Sequence, residues 1–174
     1  MVIWIIGLSG AGKTTLGREI VRQWRLVDQS CVLLDGDELR DVFRHTDAET
    51  AYTVHGRRAN AETIAALCAL LDRQRINVVC CILSIFPDMR LENRHRFSRY
   101  FEVFLDASMS SLRARDAKGL YAAAEDGTIR DVVGIDIPFE RPITADMVID
   151  TSGALTDVTG LAGQVLSRAG VTGE

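Results

Sequence analysis

Apolar residues are distributed along the chain in two alternating patterns. Short runs in which almost every residue is apolar are typical of strands buried on both faces of a sheet. Longer stretches with apolar residues three or four apart are typical of helices that bury one face. The predicted strands are 2–6, 31–35, 76–84, 100–106 and 147–151. The predicted helices are 13–24, one with Ile64, Leu67, Cys68 and Leu71 on one face, 87–99, 108–117 and 155–168.

This alternation of strands and helices predicts an α/β fold, a parallel sheet with right-handed crossovers and helices on both faces. Two stretches lack either pattern. Residues 36–55 are mainly polar, and residues 118–145 carry glycines and prolines with little apolar periodicity. We expect residues 118–145 to be irregular, and long irregular segments are usually functional or disordered.

A stretch of small residues follows the first predicted strand directly. G-L-S-G-A-G-K-T at 7–14 matches G-x-x-x-x-G-K-[ST] in full, between a strand and a helix, as this motif requires. The small residues let the backbone curl around phosphates, Lys13 reaches the β- and γ-phosphate oxygens, and Thr14 is placed to bind Mg²⁺. The predicted ATP-binding residues of the loop are Gly7, Ser9, Gly10, Ala11, Gly12, Lys13, Thr14 and Thr15. The motif indicates a nucleoside triphosphate and leaves the phosphate acceptor open.

The second predicted strand ends in acidic residues. Because ligands bind at the carboxyl ends of strands in an open α/β sheet, Asp35 and Asp37 are expected beside the glycine loop. One carboxylate can hold Mg²⁺ through water, and the other can accept a proton from an attacking hydroxyl. Arg40 can then clamp an anionic group of the acceptor. The same residues also fit an Asx-turn and a solvated helix start, which needs no chemistry.

Composition narrows the function classes. A net charge of -4 and a pI near 5.4 argue against a nucleic-acid or anionic-membrane surface. No apolar run is long enough to span a bilayer, and the N-terminus lacks the pattern of a signal peptide. The four cysteines show no metal-ligand spacing, so we expect buried, reduced thiols in a cytoplasmic protein. We further expect one domain over residues 1–174 and a homodimer.

The motifs together resemble those of the adenylylsulfate kinases, often called APS kinases. G-L-S-G-A-G-K-T-T and L-D-G-D-E-L-R carry the resemblance early in the chain, and R-D-A-K-G-L-Y at 115–121 and G-I-D-I-P-F-E at 134–140 carry it downstream. Enzymes of this family transfer the γ-phosphate of ATP to the ribose 3′-hydroxyl of adenylyl sulfate. The resemblance implies the fold of P-loop containing nucleoside triphosphate hydrolases, with five parallel strands in the order 2-3-1-4-5. It also implies a lid over about residues 118–140 and the cofactors ATP and Mg²⁺.

The resemblance assigns roles to individual residues as well. Asp35 and Asp37 would lie at the metal and at the acceptor hydroxyl, with Asp37 favoured as the base and Thr14 as a second metal ligand. Arg115 would bind ATP, and Lys118 would lie near the transferred phosphate. The residues implied at the acceptor nucleotide are Asp35, Arg40, Tyr52, Arg57, Asn60, Ser84, Lys118 and Val132. Among these, Tyr52 would stack on the base.

The chain departs from the family pattern on the acceptor side. Residues 83–87 read L-S-I-F-P where the family usually has I-S-P-Y-R, and Val132 stands where it commonly has an aromatic residue. Loss of one aromatic partner removes ~1–3 kcal/mol of base stacking if nucleic-acid magnitudes transfer. An alternative acceptor is therefore another nucleotide-linked compound such as cytidine diphosphoramidate, whose kinases resemble this family. A second alternative is a non-catalytic ATP-binding module, against which the intact glycine loop, the two aspartates and Lys118 argue.

Overall fold

Five parallel strands form the centre of the computed structural model, which describes residues 1–44, 50–116, 119–153 and 156–171. The strands are β1 Val2–Ile6, β2 Cys31–Asp35, β3 Asn77–Ile82, β4 Tyr100–Asp106 and β5 Met147–Asp150. Their spatial order is β2-β3-β1-β4-β5, and every pairing between neighbours is parallel. The predicted sheet and strand order are confirmed.

Within the described residues, the helices are α1 Lys13–Trp24, α2 Gly36–Val42, α3 Val54–Arg73, α4 Pro87–Arg96, α5 Met109–Ala114, α6 Leu120–Glu125 and α7 Val158–Arg168. Local capping fixes where several of them begin. The hydroxyl of Thr53 accepts a hydrogen bond from the amide of Gly56 at the start of α3, and Ser108 accepts one from Ser111 at the start of α5. Proline at the first position of α4 supplies a helical φ where no amide donor is needed.

The core lies on both faces of the sheet. All five residues of β1 are buried, and they alternate between two apolar clusters because successive strand side chains point to opposite faces. Ile3 and Ile5 join the cluster beneath α1 and α7, whereas Trp4 joins the cluster beneath α3 and α4. A strand buried on both faces explains why the first residues of the chain read as an unbroken apolar run.

Residues 118–145, predicted to be irregular, contain helix α6, so that prediction is wrong in part, and the polar stretch 36–55 contains helix α2. Helix α2 begins because Asp35, at the end of β2, accepts a hydrogen bond from the amide of Asp37. Helix α6 begins because Asp116 accepts hydrogen bonds from the amides of the first three helical residues, at 2.8, 2.7 and 3.1 Å. In each case a carboxylate of the preceding segment satisfies amides that a new helix leaves without partners.

The predicted bounds also need correction at several places, among them the end of α5, which is Ala114 instead of residue 117, and the end of β5, which is Asp150 instead of residue 151. Strand β3 ends at Ile82, two residues before Ser84, whose φ of 50° is incompatible with a strand. Helix α4 ends at Arg96 instead of residue 99, and α7 begins at Val158 instead of residue 155. Strands β1, β2 and β4 and helix α1 have the predicted bounds.

The cysteines are buried and free, as predicted. Burial raises the pKa of the Cys31 and Cys81 thiols to about 12, so these side chains are neutral near pH 7. None of the helices in the described ranges combines the length and apolarity needed to cross a bilayer.

Candidate active site

The candidate site lies where the carboxyl ends of β2, β3 and β1 meet at one edge of the sheet. Asp35 at the end of β2 is level with Cys81 of β3, and Ile82 of β3 is level with Ile6 at the end of β1. The glycine loop follows Ile6, and residues 83–86 follow β3. Strand register therefore brings these segments together, as expected for a ligand site in an open parallel sheet.

The glycine loop is held close to the sheet by two glycines. A Cβ added to Gly7 would lie 2.8 Å from the carbonyl oxygen of Leu105 in β4, so only glycine allows this approach. Gly12 precedes α1 with a φ of 96°, in the left-handed region that glycine tolerates. The loop therefore ends at the start of a 12-residue helix, whose first-turn amides and dipole favour an anion.

The ammonium group of Lys13 lies across this loop. Its Nζ donates hydrogen bonds to the carbonyl oxygens of Gly7 and Leu8, both at 2.9 Å. The lysine is thus held at the loop whose backbone would surround a phosphate, as its predicted role requires. A phosphate oxygen at this loop would compete with the two carbonyls for the three donors of the ammonium.

Thr14 and Asp35 are in direct contact. The Thr14 hydroxyl donates a hydrogen bond of 2.5 Å to Oδ2 of Asp35, whose Oδ1 accepts the amide of Asp37 at 2.9 Å. Because the hydroxyl is the donor of this hydrogen bond, the lone pairs of its oxygen remain available to a cation. In the parts of the chain that the structure describes, no group of three or more His, Cys, Asp or Glu side chains has metal-binding geometry. One carboxylate and one hydroxyl fit Mg²⁺, which usually completes its shell with water and substrate phosphates.

Three predicted acceptor residues form a cation–aromatic cluster. The guanidinium carbons of Arg40 and Arg57 lie 4.7 and 5.5 Å from the centroid of the Tyr52 ring. Arg40 also donates to the carbonyl of Ala51 at 2.9 Å, and Arg57 donates to the carbonyl of Tyr52 at 2.8 Å. Burial and the nearby Arg40 charge lower the pKa of Arg57. Two adjacent guanidinium charges favour an anionic ligand.

Arg57 also connects this cluster to the predicted lid. Its Nη2 donates a hydrogen bond of 2.7 Å to the carbonyl oxygen of Asp131, 74 residues further along the chain. A second connection joins the lid to the glycine loop, because the Tyr121 hydroxyl donates to the Ser9 carbonyl at 2.8 Å. Tyr121 lies within a motif of the family resemblance, but the sequence predicts no role for it, because no local pattern indicates which carbonyl its hydroxyl contacts.

Most of the other residues predicted to contact the acceptor are buried within the protein. Asn60 is buried in α3, and Ser84 Oγ accepts a hydrogen bond of 3.3 Å from the Trp4 indole nitrogen. The Val132 side chain is buried in the larger apolar cluster, so its position does not support the predicted contact with a base. Asp37 is exposed in the first turn of α2, with its side chain outside the core.

Two further residues, Arg115 and Lys118, were predicted to bind ATP or to lie near the transferred phosphate. The Arg115 guanidinium donates to the carbonyl oxygens of Ser152, at 2.7 Å, and of Gly153, just beyond β5. Arg115 therefore joins the end of α5 to the segment that follows the edge strand. Lys118 lies outside the described residues.

A P-loop kinase has a strand, a phosphate-binding loop and a helix in succession, beside a carboxylate from another strand end, which here is Asp35 of β2, two positions from β1 in the sheet. The profile of the family described as "Adenylylsulphate kinase" matches residues 1–150. The chain belongs to the adenylylsulfate kinase family and is a phosphotransferase that uses an alcohol acceptor.

Several known proteins are similar to this chain. The "Adenylyl-sulfate kinase" of Paraburkholderia xenovorans is 40% identical over 157 residues, which cover 86% of this chain and 83% of the relative. The "Cytidine diphosphoramidate kinase" of Campylobacter jejuni is 37% identical over 151 residues, covering 87% and 86%. The solved Mycobacterium tuberculosis APS kinase CysC, in complex with AMPPNP and APS, superposes with a TM-score of 0.81 at 27% identity, covering 96% and 95%.

Proposed function

We propose that this kinase transfers the γ-phosphate of ATP to the ribose 3′-hydroxyl of adenylyl sulfate. The observation that carries the proposal is the 2.5 Å contact between Thr14 and Asp35, which joins the glycine loop to the acceptor edge of the sheet. Similar proteins named adenylyl-sulfate kinase, with 33–40% identity to this chain, support the choice of acceptor. The product would serve sulfate assimilation.

The glycine loop would bind the triphosphate. The amides at the start of α1 and the ammonium of Lys13 would face the β- and γ-phosphates and offset the charge that develops during transfer. Arg115 would bind ATP from the other side of the loop. Thr14 and Asp35 would hold Mg²⁺, which when bound neutralises charge on the β- and γ-phosphate oxygens.

The acceptor hydroxyl would attack the γ-phosphorus in line with the departing ADP. A new bond forms between the 3′-oxygen and the γ-phosphorus, and the bond from the γ-phosphorus to the β,γ-bridging oxygen breaks. We assign the hydroxyl proton to the carboxylate of Asp37, in the first turn of α2 directly after Asp35. Little covalent chemistry is then required of the protein, and positioning supplies most of the rate enhancement.

The cluster of Arg40, Tyr52 and Arg57 would bind the acceptor nucleotide. Its two guanidinium groups suit the anionic sulfate–phosphate group, and the half-exposed Tyr52 ring offers a stacking surface for the base. The bond from Arg57 to Asp131 would couple acceptor binding to closure of the lid, which excludes water from the reaction. Lys118 would approach the transferred phosphate on closure, and Lys118→Ala should then lower kcat more than ATP affinity.

A second candidate acceptor is cytidine diphosphoramidate. Burial of the Val132 side chain favours it, because the lid then lacks an aromatic face at the position where the family commonly stacks on adenine. A smaller base requires less stacking area, and the relative from Campylobacter jejuni carries this activity in its name. The chemistry at Lys13, Asp35 and Asp37 would be the same for either acceptor.

The assembly and location form a separate part of the proposal. A homodimer is supported by large apolar side chains that are exposed in the described residues, among them Leu91, Ile143 and Val148. A cytoplasmic location is supported by four cysteines that are free thiols. Light scattering at several protein concentrations would test the dimer, and a constant monomer mass would overturn it.

Steady-state kinetics with the two acceptors tests the proposed function. With ATP and Mg²⁺, we expect a kcat/KM for adenylyl sulfate at least about tenfold above that for cytidine diphosphoramidate, a difference of about 1.4 kcal/mol in transition-state binding. Formation of product from the cytidine compound alone would reject adenylyl sulfate and favour the second candidate.

A further inference from the structure

We propose that Arg90 is a positioning residue for the acceptor, because it fixes the backbone conformation of Ser84 at the wall of the site. Nη1 of Arg90 donates a hydrogen bond of 3.1 Å to the carbonyl oxygen of Ser84. The inference rests on the proposed function in one respect, namely that the segment after β3 contacts the acceptor nucleotide.

Ser84 adopts a conformation that needs support. Its φ of 50° lies in the left-handed region, which is unfavourable for a residue with a Cβ. Two buried donors hold it from different elements: Arg90 of α4 binds its carbonyl oxygen, and the indole of Trp4 in β1 binds its hydroxyl at 3.3 Å. An unfavourable conformation persists where surrounding groups over-determine it, and such sites are frequently functional.

Arg90 is itself fixed by the centre of the sheet. Its Nε lies 3.6 Å from Oε1 of Glu102, and the two side chains are 6% and 0% exposed. Glu102 belongs to β4, where the Tyr100 hydroxyl donates to its other carboxylate oxygen at 2.7 Å. Its amide donates to Asp146 at 2.7 Å. A buried carboxylate requires a partner charge, so the position of Arg90 is determined by a strand that cannot move independently.

This arrangement distinguishes Arg90 from the other arginines of the same helix. The arginines of this helix, with Asp88 and Glu92 among them, predict a solvated face, and the alternative is an anion contact by Arg90, which is close to Ser84 in the sequence. The solvated-face interpretation fits Arg96, which is partly exposed and pairs with Glu92 one turn away. It is wrong for Arg90, which points into the protein toward Ser84 and Glu102. Arg96 is therefore a matched control on the same helix.

The position of Ser84 predicts which kinetic constant depends on Arg90. Strand β3 lies between β2 and β1, so the segment after it lies between Asp35 and the glycine loop. A change of backbone conformation at Ser84 would move the wall of the acceptor site. The glycine loop follows a different strand, β1, and the hydrogen bonds from Lys13 to the carbonyls of Gly7 and Leu8 lie within that loop.

The first experiment compares Arg90→Met with the control Arg96→Met. For R90M we expect an acceptor KM raised about tenfold or more, with the KM for ATP within about twofold of the unmodified enzyme. R96M should change neither constant. An R90M acceptor KM equal to that of R96M, or an equal rise in both KM values, would overturn the proposal.

Loss of stability must be separated from loss of positioning, because R90M leaves Glu102 without its charge partner. The double variant R90M/E102Q removes both charges. We expect its melting temperature to recover most of the loss caused by R90M, while the acceptor KM remains high. Recovery of both quantities together would show that Arg90 acts only through stability and would overturn the positioning role.

A crystal structure of R90M/E102Q tests the inference independently of the acceptor's identity. We expect Ser84 to leave the left-handed region while residues 1–35 keep their conformation. A Ser84 φ that remains near 50° would overturn the inference. If the unmodified enzyme forms no product from adenylyl sulfate, the proposed function fails, and this measurement still decides whether Arg90 fixes Ser84.

Discussion

The ATP side and the acceptor side of the site are built in different ways. On the ATP side, one strand, one loop and one helix follow each other in the chain, and Asp35 completes the site from the next strand end. On the acceptor side, arginine side chains are held by backbone carbonyls, such as those of Ala51, Ser84 and Asp131. Local geometry therefore fixes the phosphate site, whereas the acceptor site depends on how irregular segments are placed.

This difference explains why one family contains kinases for different nucleotides. Changes in residues 50–53, 83–86 or 130–133 alter the carbonyls and side chains that surround an acceptor without touching the glycine loop. The chain retains the full ATP-binding motif and departs from the family pattern in the latter two segments. Specificity for the acceptor can therefore change while the transfer chemistry is retained.

The largest effect is expected on the ATP side, from Lys13→Ala. In the proposed role, this ammonium would face the β- and γ-phosphates, so its loss should lower kcat/KM about 10³-fold with either acceptor. Arg18→Ala, on the next turn of α1 and exposed, is the control. A residual rate above a tenth of normal for K13A would contradict the role of the loop.

A smaller effect, confined to the metal, is expected from Asp35→Asn. The amide should weaken the Mg²⁺ site by about 10–100-fold, and a higher Mg²⁺ concentration should recover part of the rate. Glu38→Gln, an exposed carboxylate of α2, should leave the Mg²⁺ dependence unchanged. If D35N lost activity that no Mg²⁺ concentration restored, Asp35 would have a different role.

On the acceptor side, Arg57→Met should raise the KM for the acceptor by about tenfold and leave the KM for ATP unchanged. The substitution removes a cation of the cluster and the hydrogen bond to Asp131, and both would favour the bound acceptor under the proposed function. Arg73→Met, at the exposed end of the same helix, is the control. If only the KM for ATP rose, Arg57 would contribute to ATP binding instead of acceptor binding, and the prediction would be wrong.

The smallest effect is expected where the two sides meet, from Tyr121→Phe. This change removes only the hydroxyl that donates to the Ser9 carbonyl, a hydrogen bond worth about 1 kcal/mol. We expect the KM for ATP to rise by up to about fivefold, together with a loss of stability of about 1 kcal/mol. An unchanged KM for ATP would mean that the lid does not stabilise the glycine loop.

Sequence reasoning succeeded where a pattern depends on neighbours in the chain. The apolar run at β1, the helix that begins at Lys13 and the start of α5 all depend on local sequence, and each was predicted within one residue. Helix α6 was missed because its cap is the Asp116 carboxylate, which lies before an intervening glycine. A count of glycines and prolines in that segment could not reveal this contact.

Contacts between distant residues account for the remaining differences at the site. A solvated face was the default prediction for Arg90 because Asp88 and Glu92 lie near it in the sequence, and the pairing with Glu102, which stands between apolar residues of β4, could not be predicted. The bond from Tyr121 to Ser9 spans 112 residues, and no spacing in the sequence predicts it. The phosphate-binding residues were identified from their motif, whereas the supports of the acceptor site required the three-dimensional structure.

The most direct test of the central claim is to identify the products formed from ATP, Mg²⁺ and adenylyl sulfate by ³¹P NMR and mass spectrometry. The account predicts one 3′-phosphorylated adenylyl sulfate for each ADP. ADP released without a phosphorylated acceptor, or ATP bound with no ADP formed, would contradict it.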